Sequence, residues 1–277
     1  MNISLKYSQA LTWLYKNANK SGLLDIAFMR SLYISTYFTY KRYLEDPFAR
    51  LTKYHPQLFK RANIIDIGAN IGYTSYIFSK VLEKPYKIFA FEPEEKNIKI
   101  LKQTSQKYGF SKQMVLIASA VGDHVGEIEL WKNEANNADH RILTQELKNQ
   151  LSGVLDTQKT SLITIDSYLK QFKNPIPISF IKIDVQGYEQ AVSAGMTETL
   201  AQNPKIVIGF EYCPCVIESL GFKPNELLQF YNEKHFKFYY LNKRNQIEPC
   251  DVLNNYTLQR QIAQKGYIDI LCSKNPL

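Results

Sequence analysis

Histidine and cysteine are scarce in this chain, with four of each among 277 residues. Cys213 and Cys215 are separated by Pro214 alone, too close for a Cys-x-x-Cys zinc or redox pair, and no histidine cluster follows them. With Cys250 and Cys272, they read as reduced, partly buried thiols, and a reducing cytoplasm is the expected setting. No apolar run reaches the ~18 residues that span a bilayer, and the first residues lack the continuous apolar stretch of a secretion signal. Internal repeats and low-complexity tracts are also missing. The formal net charge is +8, but residues 1–61 hold ten Lys/Arg against three Asp/Glu, while residues 62–277 hold 24 against 23. A nearly neutral remainder argues against a nucleic-acid groove across the protein.

What is present starts with Asn63-Ile64-Ile65-Asp66-Ile67-Gly68-Ala69-Asn70-Ile71-Gly72-Tyr73, followed by Phe89-Ala90-Phe91-Glu92-Pro93. This reads as a buried strand, a glycine turn opening a helix, and a second strand ending in a carboxylate 26 residues after Asp66. A nucleoside cofactor needs these parts: a turn that lets backbone approach the ligand, and a strand-end acid for two ribose hydroxyls. A dinucleotide site needs Gly-x-Gly-x-x-Gly, and the turn here lacks the middle glycine. Asp66 would also repel a pyrophosphate, whereas it suits a cation. S-adenosylmethionine has a sulfonium, an ammonium and a ribose diol, and no phosphate. The expected site is therefore Asp66 toward the amino-acid end, through backbone or a water, with Gly68, Asn70 and Gly72 as floor and Glu92-Pro93 at the ribose.

These residues resemble motif I and the following acidic strand end of class I S-adenosylmethionine-dependent methyltransferases. Three further stretches resemble the FkbM-type family: Ala120-Val121-Gly122-Asp123 leading to Gly126-Glu127-Ile128-Glu129-Leu130; Thr164-Ile165-Asp166-Ser167-Tyr168-Leu169; and Phe180-Ile181-Lys182-Ile183-Asp184-Val185-Gln186-Gly187-Tyr188-Glu189. They run in family order from Asn63 to Tyr212. Gln186 departs from the Glu of many members, so a metal or base role for that Glu does not carry over. The resemblance implies an α/β Rossmann-like sheet, mostly parallel, of seven strands with the last antiparallel. It also implies methyl transfer to a hydroxyl of a sugar, glycoconjugate or natural product, with S-adenosylhomocysteine as the product.

The pattern along the chain fits that architecture. Strands are expected at 63–67, 87–91, 114–119, 178–183, 205–211, 235–241 and 267–272, with an extended hairpin over 120–131. Helices are expected at 71–83, 94–108, 188–200, 224–234 and 254–264, and 132–160 is polar without a period. Strand-helix alternation implies a parallel sheet with right-handed crossovers. The methyltransferase domain is expected over 62–277, behind a basic helical extension, 1–61, with twelve aromatics. In that extension an amphipathic helix over 1–20 (Leu5, Leu11, Leu14, Tyr15) would break at Ser21-Gly22, and Pro47 would open another helix. The extension reads as a cap on the sheet, an acceptor wall or an oligomer surface. Its basic-aromatic mixture would also suit an anionic glycan or peripheral contact with a membrane.

Methyl transfer to a hydroxyl needs an oriented acceptor and a proton acceptor. Asp139-His140-Arg141 lies in the polar stretch after residue 131. His140 is the candidate base or hydrogen-bond donor, Asp139 is its neighbour, and Arg141 offers a bidentate contact to an acidic acceptor group. Asp123 is placed to reach the adenine amine. Asp184 ends an apolar strand and so faces a ligand cleft, where it could hold the cofactor's ammonium or the acceptor hydroxyl; with His140 it is a favoured catalytic group on the acceptor side. Lys182 shares its face and, if buried, needs Asp184 or Asp166 as partner. Asp184 and Glu211 could offer oxygens to Mg²⁺, but with a neutral Gln186 a required metal is not favoured. Base-amine methyltransferases of nucleic acids carry an Asn/Asp-Pro-Pro-aromatic turn where Asp184-Val185-Gln186-Gly187 stands without proline, so a nucleic-acid substrate is disfavoured. A non-catalytic scaffold of this fold, binding a partner through the extension, stays open as the alternative.

Overall fold

The computed structural model describes residues 27–42, 46–133 and 139–277. The helix expected over 1–20 and its break at Ser21-Gly22 lie outside these residues. The strands in chain order are β1 (Asn63–Ile67), β2 (Ile88–Phe91), β3 (Met114–Ile117), β4 (Ala120–Val121), β5 (Gly126–Trp131), β6 (Arg141–Ile142), β7 (Thr157–Ile163), β8 (Ile178–Ile183), β9 (Val207–Tyr212), β10 (Lys237–Leu241), β11 (Ile247–Pro249) and β12 (Ile268–Ser273). The main sheet has the order β11-β10-β12-β9-β8-β1-β2-β3. The β3-β2-β1-β8-β9 half is parallel. The last strand, β12, inserts antiparallel between β9 and β10, as expected.

The sheet has eight strands rather than seven. The extra one, β11, closes a hairpin on β10. Its turn is held by Asn242, whose Oδ1 accepts from the N–H groups of Arg244 and Gln246. Three residues are too few to show an alternation, so this strand left no readable pattern.

β1, β8 and β9 are apolar runs because helices cover both faces of the sheet. On one face, helices Ala27–Tyr40, Pro47–Tyr54 and Tyr73–Ser79 enclose Phe38, Phe48, Phe59 and Phe78 against Phe180 and Ile64. The Phe59 and Phe180 rings lie 4.6 Å apart, centroid to centroid. Phe48 reaches the sheet only because Gly209 is bare; a Cβ there would stand 2.7 Å from its ring. Asp46 starts the Pro47 helix by accepting from the Phe48 N–H at 2.9 Å, with proline in the first turn where no donor is needed. The described part of the extension is thus packed into the core.

A second sheet, β4-β7-β5-β6, corrects the expected hairpin. β4 and β5 do not pair with each other; both pair with β7, one parallel and one antiparallel. The polar stretch 132–160 hid most of β7 because its outward residues, Lys159 and Ser161, are solvated while Thr160 and Leu162 are buried. The helix expected over 188–200 is two, Glu189–Ala194 and Thr197–Gln202. Asp166 explains the split: its carboxylate accepts from the N–H groups of Glu198 and Thr199, starting the second helix. Among the described residues no helix is long and apolar enough to cross a membrane.

Candidate active site

The parallel strands deliver their carboxyl ends to one cleft. Its floor is the turn after β1. Gly68 has φ +75°, and a Cβ there would overlap the Asp184 carbonyl oxygen at the end of β8. Gly72 has φ +91° and starts the Tyr73–Ser79 helix, with Leu101 packed where its Cβ would be. Gly68, Ala69, Asn70 and Ile71 line the cleft. Gly72 does not, and its role is the close approach of two helices. Gly68→Ala should destabilise the fold by about 3 kcal/mol and displace the loop after β8, read by urea denaturation.

At the end of β2, Glu92 is 5% exposed and lines the same cleft. One of its oxygens accepts from the Asn70 N–H at 2.8 Å and the other from the Glu94 N–H at 3.0 Å. Burial pushes its pKa up to about 7 despite these donors. Pro93 also lines the cleft, and Gln158 from β7 holds its carbonyl at 2.9 Å. Thus a bare glycine turn and an inward carboxylate face one space across β1 and β2.

Residues 66–238 match the methyltransferase FkbM domain. The chain belongs to this family. Its structure is similar to that of an FkbM methyltransferase from Methylobacillus flagellatus, with 13% identity and a TM-score of 0.46, covering 87% of this chain and 56% of that one. An O-methyltransferase from Bacillus cereus solved in complex with SAH gives 14% and 0.44, covering 82% and 78%. An rRNA methylase from Streptococcus thermophilus gives 10% and 0.45, covering 84% and 99%. At these values the likenesses carry no functional weight. No curated protein matches the chain.

In this FkbM domain Asp66 lies beneath the floor rather than in the cleft. It is wholly buried, accepts from the Ser75 hydroxyl at 2.6 Å and pairs with Lys182 at 3.5 Å. Burial raises its pKa against the pull of Lys182 and Ser75. Lys182 is the group that meets the cleft from this row. Its ammonium donates to the Gly68 carbonyl at 2.9 Å and lies 3.5 Å from Asp184 as well as from Asp66. Burial works against its charge, but Asp184 and Asp66 outweigh this and hold its pKa above the ordinary value. The expected acid partner is therefore Asp184 joined by Asp66; Asp166 is spent on its helix.

Asp184 lines the cleft and accepts from the Gln186 side chain at 2.8 Å. The loop that follows is anchored by Glu189, which accepts from the N–H groups of Val185 and Gly187, each at 3.2 Å. Burial pushes Glu189 up to about 7.

The Asp139-His140-Arg141 triplet divides. Asp139 and Arg141 bond each other at 2.6 Å and leave the cleft wall, so the guanidinium is engaged before any ligand arrives. His140 points the other way, into the cleft. Its Nδ1 accepts the Asn133 N–H at 3.1 Å. The neutral ring therefore carries its proton on Nε2 and offers a donor. Burial lowers the His140 pKa, which favours this neutral form.

Asp123 is the residue expected at the adenine amine. It is outside the cleft wall, half exposed, and bonded to His124 at 2.7 Å. β4 has left the main sheet by this point, so the turn after it faces solvent.

Of the residues in the far wall, Glu211 alone was expected at a site, as a strand-end acid, and the extension was expected only as a whole to form an acceptor wall. Tyr37, Lys41 and Asp46 enter it from the extension, and Glu211, Tyr267 and Asp269 from the β9–β12 edge. The available signal was a lone acid between apolar neighbours, as in Ile268-Asp269-Ile270. Among the described residues no group of three or more His, Cys, Asp and Glu is arranged to hold a metal ion.

Proposed function

We propose that this FkbM domain is an S-adenosylmethionine-dependent O-methyltransferase acting on a hydroxyl of a sugar, glycoconjugate or natural product. The observation that carries the cofactor reading is Glu92 turned into a cleft whose floor at Gly68 admits no side chain. The residues fit the group: Glu92 for a ribose diol, the turn for its sugar edge, and Asp184 for a cationic amino-acid end. When bound, S-adenosylmethionine supplies an electrophilic methyl on a sulfonium. The chain's own residues orient the acceptor, exclude water and take up its proton. The acceptor class follows from the family resemblance.

Calorimetric titration with S-adenosylhomocysteine tests the cofactor: micromolar binding supports the reading, and no binding removes it in favour of a scaffold. Transfer of labelled methyl to a panel of hydroxyl-bearing and amine-bearing glycans then tests the acceptor atom. With an acceptor in hand, His140→Ala should leave cofactor affinity intact and cut turnover roughly 10²-fold, through loss of the Nε2 donor. Unchanged turnover would take His140 out of the mechanism.

A further inference from the structure

The cleft wall continues past β8 across two more strands. Glu211 on β9 and Asp269 on β12 are registered partners in that antiparallel pair. Directly opposed residues share one face of a sheet, with Cβ atoms roughly 4.5–5.5 Å apart. Both side chains line the cleft. Among the described residues neither carboxylate has an ion-pair or side-chain hydrogen-bond partner. Of the other acids in the wall, Glu92 accepts from the Asn70 and Glu94 N–H groups, and Asp46 has one oxygen on the Phe48 N–H and the other without a hydrogen-bond partner. Asp184 is tied to Gln186 and Lys182. His140 presents a donor rather than a lone pair.

Two opposed carboxylates with no ion-pair partner cannot both ionise cheaply. We propose that Glu211 and Asp269 are one proton-sharing pair, and that this pair takes the proton of the acceptor hydroxyl during methyl transfer. The proposal rests on the reading given under Proposed function. In the step, the acceptor O–H bond breaks as its oxygen bonds the methyl carbon. The electrons of the S–C bond return to sulfur, and the proton passes to the pair and later to solvent.

The surroundings agree. Burial, then Asp184, Asp269 and Glu189, raise the Glu211 pKa well above the usual range, and Lys41 is the opposing charge. Burial, then Asp46 and Asp184, raise Asp269 to about 7, with Lys41 and Lys265 opposing. The pair titrates as a unit, so neither residue alone is the base.

This is testable without knowing the acceptor. S-adenosylmethionine brings a sulfonium charge into the cleft and S-adenosylhomocysteine does not. A positive charge near the pair favours its ionised form and expels protons. Calorimetry at pH 7 in two buffers of different ionisation enthalpy should show more protons released on binding S-adenosylmethionine than S-adenosylhomocysteine. Glu211→Gln and Asp269→Asn, each nearly isosteric, should each abolish the difference while both ligands still bind. Equal proton release by the two ligands in the wild type would overturn the proposal. So would a difference that persists in both variants. If neither ligand binds the wild type, it is the cofactor reading that fails and the pair's role falls with it.

Discussion

Glu92→Ala is expected to weaken S-adenosylhomocysteine binding by roughly 10²–10³-fold. Hydrogen bonds to a charged acceptor contribute about 1.5–3 kcal/mol each, and 1.4 kcal/mol is tenfold in affinity. Two ribose hydroxyls on one buried carboxylate therefore account for a loss of this size. The variant also strips the acceptor from the Asn70 and Glu94 N–H groups, so the floor itself loosens. A companion variant separates these effects. Asp123→Ala removes an exposed carboxylate outside the cleft, whose partner is His124, and should leave affinity unchanged. Calorimetry on both variants, with their melting temperatures, decides the matter. If Asp123→Ala weakens binding as much as Glu92→Ala does, the adenine contact expected from sequence holds and the turn after β4 must close over the ligand.

The divergence between Glu92 and Asp123 shows where sequence was informative. β1, β8 and β9 announce themselves because strands covered on both faces are continuous apolar runs. Acids at the ends of such runs stand out, and Glu92, Asp184 and Glu211 all reach the cleft. Asp66 stands out equally but faces the helix that follows, because Ser75 and Lys182 are there to receive it. Whether a strand-end acid points into the cleft or beneath it depends on partners from other strands, which spacing does not encode. The second sheet was hidden for a related reason. β7 alternates between buried and solvated residues, and its partners β4 and β5 bracket it at a distance in sequence. Apart from Glu211, the far wall required tertiary structure: Asp46 caps a helix in the extension, yet borders the same space as Asp269 near the other end of the chain.

The same carboxylates should make the protein less stable as pH rises from about 5.5 to 8. In an unfolded chain Asp and Glu ionise near pH 4. In the folded protein burial pushes Glu92 and Glu189 up to about 7, Asp269 up to about 7 and Asp46 up to about 6. Between the two ranges the folded state holds more protons than the unfolded state, so stability falls with rising pH. The penalty is absent where both states are protonated and complete where both are ionised. For Glu92 and Glu189, which are 5% and 2% exposed, each shift corresponds to roughly 3 kcal/mol at most. His140 acts in the opposite sense, because burial lowers its pKa and stability then rises with pH between its folded and unfolded values. One histidine does not offset four acids. Unfolding free energies from urea titration at pH 5.5 and 8 and fixed ionic strength should therefore differ by several kcal/mol in favour of the lower pH, and Glu189→Gln should shrink the difference. A flat or rising profile would mean that these acids have partners or water that burial alone does not reveal. A cleft that opposes its own ionised acids is matched to a cationic occupant, so saturating S-adenosylmethionine should flatten the profile more than S-adenosylhomocysteine does.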